Sequence, residues 1–203
     1  MNMIQGKLGL CAALLATATM LPVSTAIADG TETLGTPSVS IATGSRFITA
    51  GVGLDATQPG DLVFDVPAGN SVEQVLIYWD GADSNPSGGP PVIGTTTDTI
   101  SVDGNPVTGV FIGGRTAGGG TQFYAFRADI TSLGVVTNGT NTIPVSGLDF
   151  EQNNGAGILV LVDDGTVAYI DLVDGNDRAY FASNDVPFVE SRETVKQTFI
   201  FPS

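Results

Sequence analysis

The chain has 203 residues, with 21 acidic and seven basic side chains, a single cysteine and no histidine, for a formal charge of −14. Without histidine, Ser-His-Asp and Cys-His catalysis and histidine-based zinc, copper or iron sites are excluded, which leaves carboxylate chemistry as the open enzymatic route. A surface this acidic repels nucleic-acid phosphates and anionic lipid headgroups, and suits divalent cations, cationic partners, neutral glycans or plain solubility.

Residues 1–28 read as an export signal. Lys7 gives a short positive start, Leu8 to Leu21 form an apolar stretch, and Ala26-Ile27-Ala28 places small residues where a signal peptidase reads. The run is too short and too rich in Ala and Thr for a permanent bilayer span. Cys11 stands near its start, whereas a lipoprotein anchor needs the cysteine at its end. Cleavage is therefore expected after Ala28, leaving Asp29–Ser203 as a secreted, extracellular or cell-surface domain without a membrane span. Cys11 and Lys7 leave with the signal, so the 175 remaining residues carry six basic and 21 acidic side chains, a formal charge of −15. That length suffices for one domain with a real core, stabilised by burial and sheet hydrogen bonds rather than disulfides.

From there on, helical periodicity is almost absent. Short runs rich in Val, Ile, Thr, Phe and Tyr alternate with Gly, Pro, Asn and Asp clusters, which predicts an antiparallel β-sandwich or jelly roll. The first half is predicted to form strands at 38–42, 46–50, 61–66, 72–79, 99–102 and 107–112. The second half adds 122–128, 142–146, 157–162, 167–173, 178–182 and 195–201. Val75-Leu76-Ile77-Tyr78-Trp79 and Gly157–Val162 are apolar on both faces, as central strands are. Asp103-Gly104-Asn105 predicts a tight hairpin. The reversals at Asp163-Asp164-Gly165-Thr166 and Asp174-Gly175-Asn176-Asp177 predict a three-stranded meander from Gly157 to Phe181. Residues 83–91 and 117–120 read as loops. One helical turn is expected at 129–133, with Asp129 as its N-cap. The last strand, 195–201, lies in Thr194–Ser203, a strand entering a turn that is similar to Gly60–Ala68. It either closes the sandwich or leads into a further domain, and an unpaired terminal strand is also an edge for self-assembly.

The order of these elements resembles a known arrangement. Val75-Leu76-Ile77-Tyr78-Trp79-Asp80-Gly81 is followed by Asp98-Thr99-Ile100-Ser101-Val102-Asp103-Gly104, then Tyr124-Ala125-Phe126-Arg127-Ala128-Asp129. Thr142-Ile143-Pro144-Val145-Ser146-Gly147-Leu148 comes next, and then Gly157-Ile158-Leu159-Val160-Leu161-Val162-Asp163-Asp164 precedes Asp171-Leu172-Val173-Asp174-Gly175. Over residues 60–182 this resembles an uncharacterised β-sandwich module of secreted, adhesin-like bacterial and archaeal surface proteins. The resemblance implies a sandwich and extracellular placement, and brings no catalytic residues. The chain departs from that pattern at Val162-Asp163-Asp164-Gly165, where the family carries an aromatic, an acid and a proline.

Three constellations bear chemistry. Asp163, Asp164, Asp171, Asp174 and Asp177, with Asn176, supply hard oxygens on adjacent reversals and form a candidate Ca²⁺ site. Their spacing fits no EF-hand or glycine-rich calcium repeat, and turns demand the same residues for local reasons. Aromatic side chains on a sheet can stack on sugars. Tyr78 and Trp79 point to opposite faces, with Trp79 expected in the core and Tyr124, Tyr169 and Tyr180 as candidates for exposure. Glu73 and Glu151 are the carboxylate pair to test for glycosidase chemistry. Gly51-Val52-Gly53 and Gly118-Gly119-Gly120 lack the strand–helix context of phosphate cradles. Lys196, the sole lysine after residue 28, allows at most one Lys–Asn crosslink.

These features point to a non-catalytic surface, adhesion or matrix module, Ca²⁺-stabilised if the aspartates converge. Its partner would be a surface or matrix polymer, a glycan or a second copy. A carbohydrate-binding module is the second reading and a carboxylate-dependent glycoside hydrolase the third.

Overall fold

A computed structural model of the chain describes residues 27–28, 32–84, 98–116, 121–177 and 197–201. Its strands are β1 Ile27–Ala28, β2 Glu32–Gly35, β3 Arg46–Gly53, β4 Gly60–Val66, β5 Ser71–Ser84 and β6 Thr99–Val102. They continue with β7 Asn105–Thr108, β8 Val110–Thr116, β9 Thr121–Asp129, β10 Gly139–Ser146, β11 Gln152–Asp163 and β12 Asp174–Gly175. A five-stranded sheet in the order β3-β11-β5-β9-β8 faces a four-stranded sheet in the order β4-β10-β6-β7. Every pairing is antiparallel. The molecule is an all-β sandwich, as the strand pattern predicts.

Alternation builds the core. Leu62, Phe64 and Val66 of β4 and Ile143 and Val145 of β10 point inward at every second position. They meet Val75, Ile77 and Trp79 of β5, Ile158 and Val160 of β11 and Phe126 of β9. Trp79 stacks on Phe126 with ring centroids 5.7 Å apart. β5 and β11 each have a neighbour on both sides, which is why their sequences are apolar on both faces. The β6–β7 hairpin turns at Asp103 (φ 49°) and Gly104 (φ 76°), the positive angles that an Asp-Gly pair supplies.

Several expected strands take another form. Residues 107–112 divide between β7 and β8, because the chain leaves one sheet for the other at Gly109. A Cβ at Gly109 would run into the Trp79 indole. Residues 38–42 are not a strand but a segment tied to the five-stranded sheet by side chains. Gln74 donates from Nε2 to the Ser40 carbonyl (2.9 Å) and accepts from the Ala42 amide (2.9 Å). Residues 167–173 form no strand either, and the meander from Gly157 is not built. β3 and β5 already occupy both edges of β11, so a following strand has no ladder to join there. Instead Asp174–Gly175 pairs with Leu34–Gly35 in a small sheet, β1-β2-β12. The helical turn is a 3-10 turn at Thr131–Leu133. Ile130 holds its N-cap position, while Asp129 accepts the Thr131 amide at 3.0 Å. Residues 178–182 lie outside the described residues, and 197–201 are described as non-strand.

Candidate functional site

The outer face of the five-stranded sheet is built from the residues between the core positions. Going along β5 these are Gln74, Leu76, Tyr78 and Asp80, with Arg127, Ala125 and Phe123 beside them on β9. One half of this face is covered. Leu76 and Leu161 are buried there, and Arg127, 2% exposed, forms an ion pair with Asp174 and donates to Ser38 Oγ at 2.8 Å. A buried arginine left unpaired is costly, so this pair fixes both the 38–42 segment and β12 to the sheet.

The other half is open. Tyr78, Asp80, Phe123, Asn154, Gly157 and Asp177 help line a concavity of about 480 Å³ that spans β11, β5, β9 and β8. Two β-bulges border it. Register breaks between Asn153 and Gly155 on β11 and between Phe111 and Gly113 on β8, so Asn154 and Ile112 are the extra residues, and both line the concavity. Bulges of this kind re-aim a side chain. Asn154 uses the freedom to donate from Nδ2 to Asp80 Oδ2 at 2.6 Å. Gly157 sits directly opposite Tyr78 and leaves the floor low.

The electrostatics are those of a partly dry, acidic site. Burial pushes the Asp80 carboxyl above its ordinary value of 3.8, against the lowering effect of the Asn154 hydrogen bond. Burial also carries the Tyr78 phenol up to about 12; the Asp174 charge adds to this and the Arg127 charge opposes it. The Tyr78 hydroxyl is buried without a hydrogen-bond partner, an arrangement native folds avoid unless something is to fill it. Asp80 and Asp177 line the site, and among the described residues no lysine or arginine does.

The predicted calcium residues are divided rather than gathered. Asp163 accepts the Gly165 amide (2.9 Å) and Asp164 accepts the Thr166 amide (3.0 Å), the work of a reversal. Arg46 lies 3.6 Å from Asp164, and hydrogen bonds from Thr166 and Ser45 hold that carboxyl below its ordinary value. Asp171 is exposed beside Ile170 and Leu172, Asp174 pairs with Arg127, and Asp177 joins Asn176 in the concavity. From Asp163 to Asn154 along β11 is about 30 Å at about 3.3 Å per residue. Among the described residues no three acidic side chains are placed to share a metal ion.

The other candidates separate as well. Trp79 is in the core, and so is Tyr124, which is 5% exposed and donates to Gln122 Oε1 (2.8 Å). Tyr169 is exposed and Tyr180 lies outside the described residues, as does Lys196. Glu151 accepts the Ser84 amide at 3.0 Å, at the far end of β5 from Glu73. The stretch of β5 between them spans about 36 Å, where a glycosidase pair needs about 5–10 Å. Asp80 and Asn154 are the residues that sequence reasoning passed over. Their signal was present in Asn153-Asn154-Gly155-Ala156-Gly157, where glycines interrupt a strand pattern and mark a bulge or a close approach. Among the described residues no helix is long and apolar enough to cross a membrane. No family model matches the chain, and neither does any curated protein or solved structure.

Proposed function

We propose that the chain is an exported, non-catalytic surface or matrix module that holds its partner in the concavity on the outer face of the five-stranded sheet. The observation that carries this reading is the conjunction of two bulges, an Asn154–Asp80 hydrogen bond and an unpartnered Tyr78 hydroxyl around one hollow. None of these is needed to close the sandwich, whose core lies on the other face. The export pattern of residues 1–28, the acidic composition and the resemblance to secreted surface modules support placement outside the cell. Removal of residues 1–28 would take β1 away and leave β2 paired with β12.

The test is retention of the purified protein on protein-stripped envelope or matrix material from the producing cells. Wild type is retained, and Gly157→Val, which fills the floor, is not. Equal retention of both proteins would refute the reading. One observation favours a second reading: Asp80, raised by burial, shares the hollow with Asp177, as acid and base do in a hydrolase. Turnover of a polysaccharide that Asp80→Asn abolishes would replace the non-catalytic reading.

A further inference from the structure

The hollow continues beyond its own lining. Gly157 pairs with Tyr78 on one side and with Gly51 of β3 on the other, so Tyr78, Gly157 and Gly51 form one row across three strands. That row covers about 10 Å at about 4.8 Å per strand, and leads from Tyr78 to the sheet edge. Its glycines are not there for the fold. A Cβ at Gly51 would meet nothing nearer than the Ala156 carbonyl at 3.8 Å, and one at Gly157 nothing nearer than the Ala50 carbonyl at 3.6 Å. Neither residue has the positive φ that would call for glycine. Glycine in a strand interior weakens it, so two that packing does not require keep a path clear instead. By contrast a Cβ at neighbouring Gly155 would collide with the Val52 carbonyl, and that glycine is structural.

Resting on the proposed binding role of the concavity, we infer that its ligand is a neutral glycan chain, seated against Tyr78, Phe123 and the Asp80–Asn154 pair and running out across Gly157 and Gly51. A flat floor, an aromatic wall and a few fixed carboxylate and amide groups suit hydroxyl-bearing rings. The Asp80 carboxylate and the Asn154 amide, bonded to each other in the lining, are the polar groups that would meet ligand hydroxyls. Asp80, Asp177 and the overall charge of −14 repel uronate and sulfated chains. An extended path, unlike a closed pocket, predicts that affinity rises with chain length.

The experiment is calorimetric titration of the whole protein with soluble neutral glucan, mannan and xylan, each also as its disaccharide. Polygalacturonate serves as the polyanion and chitosan as the polycation. The inference expects at least one neutral polysaccharide to bind, with little salt dependence, and its disaccharide to bind more weakly. Gly51→Val should weaken the polysaccharide by about tenfold, the loss of roughly one contact, and leave the disaccharide unchanged. If Gly51→Val fails to fold, Phe123→Ala is measured; it removes the aromatic wall and should weaken both ligands. Binding of chitosan alone, lost at high salt, overturns the inference, as does binding of a neutral polysaccharide that is indifferent to both variants. So does silence from all three neutral polysaccharides. If envelope retention remains sensitive to Gly157→Val in those cases, the glycan assignment fails while the binding role stands. If retention is insensitive too, both fall.

Discussion

Along β5 the odd and even residues do opposite work. Val75, Ile77 and Trp79 face the four-stranded sheet and are packed to near-complete burial, in a layer that is almost wholly apolar. Tyr78 and Asp80, one step away in sequence, face a hollow bordered by bulges, with a raised carboxyl and an unpartnered hydroxyl. The inner face spends its residues on dispersion and burial, which leaves nothing for a ligand to reach. The outer face tolerates groups that lower stability, which is what the proposed binding role would ask of it. The strand's period of two keeps the two tasks from interfering, because a substitution on one face leaves the other in place.

The comparison can be broken at several points. The largest effect should come from the inner face: Trp79→Ala removes the ring stacked on Phe126 and costs about 3–5 kcal/mol, read in denaturant melts. Next is the covered half of the outer face. Asp174→Ala leaves Arg127 buried and unpaired and should cost about 3 kcal/mol, with faster hydrogen exchange in residues 38–42, which Arg127 also holds through Ser38. In the open half the sign reverses. Asp80 binds its proton more tightly folded than unfolded, so its contribution is fully present below 3.8 and is lost as pH rises through the raised folded value. Asp80→Asn should therefore melt higher than wild type at neutral pH, with the difference shrinking towards pH 3.8; a lower melting temperature at neutral pH would contradict the burial argument. The smallest shift belongs to Gly157→Val, which should gain up to about 1 kcal/mol from the lost glycine entropy while losing the ligand.

Much of the inner face was legible in the sequence. Alternation in Leu62-Val63-Phe64-Asp65-Val66 and the two-faced run from Val75 to Trp79 are local patterns, and they carried over into β4 and the central β5. Asp103-Gly104 likewise states its turn within two residues. Tyr124 was not legible: alternation puts it on one face with Phe126, but only the tertiary fold makes that face the inner one and brings Phe150 against it. The aspartates from 163 to 177 misled for a related reason. Nearness in sequence suggested nearness in space, but with both edges of β11 taken the chain turns away, and the acids disperse to a turn, an ion pair and the hollow. The site itself joins Asn154 to Asp80 across 74 positions, a pairing set by a bulge and readable only once register is known.

The central claim, that one face folds and the other binds, is tested most directly by comparing wild type and Gly157→Val in two assays on the same samples: thermal melting and retention on protein-stripped envelope or matrix material. The account predicts a melting temperature at or above that of wild type together with loss of retention. A variant that melts like wild type and is retained like wild type would contradict it, because the hollow would then have been filled without consequence.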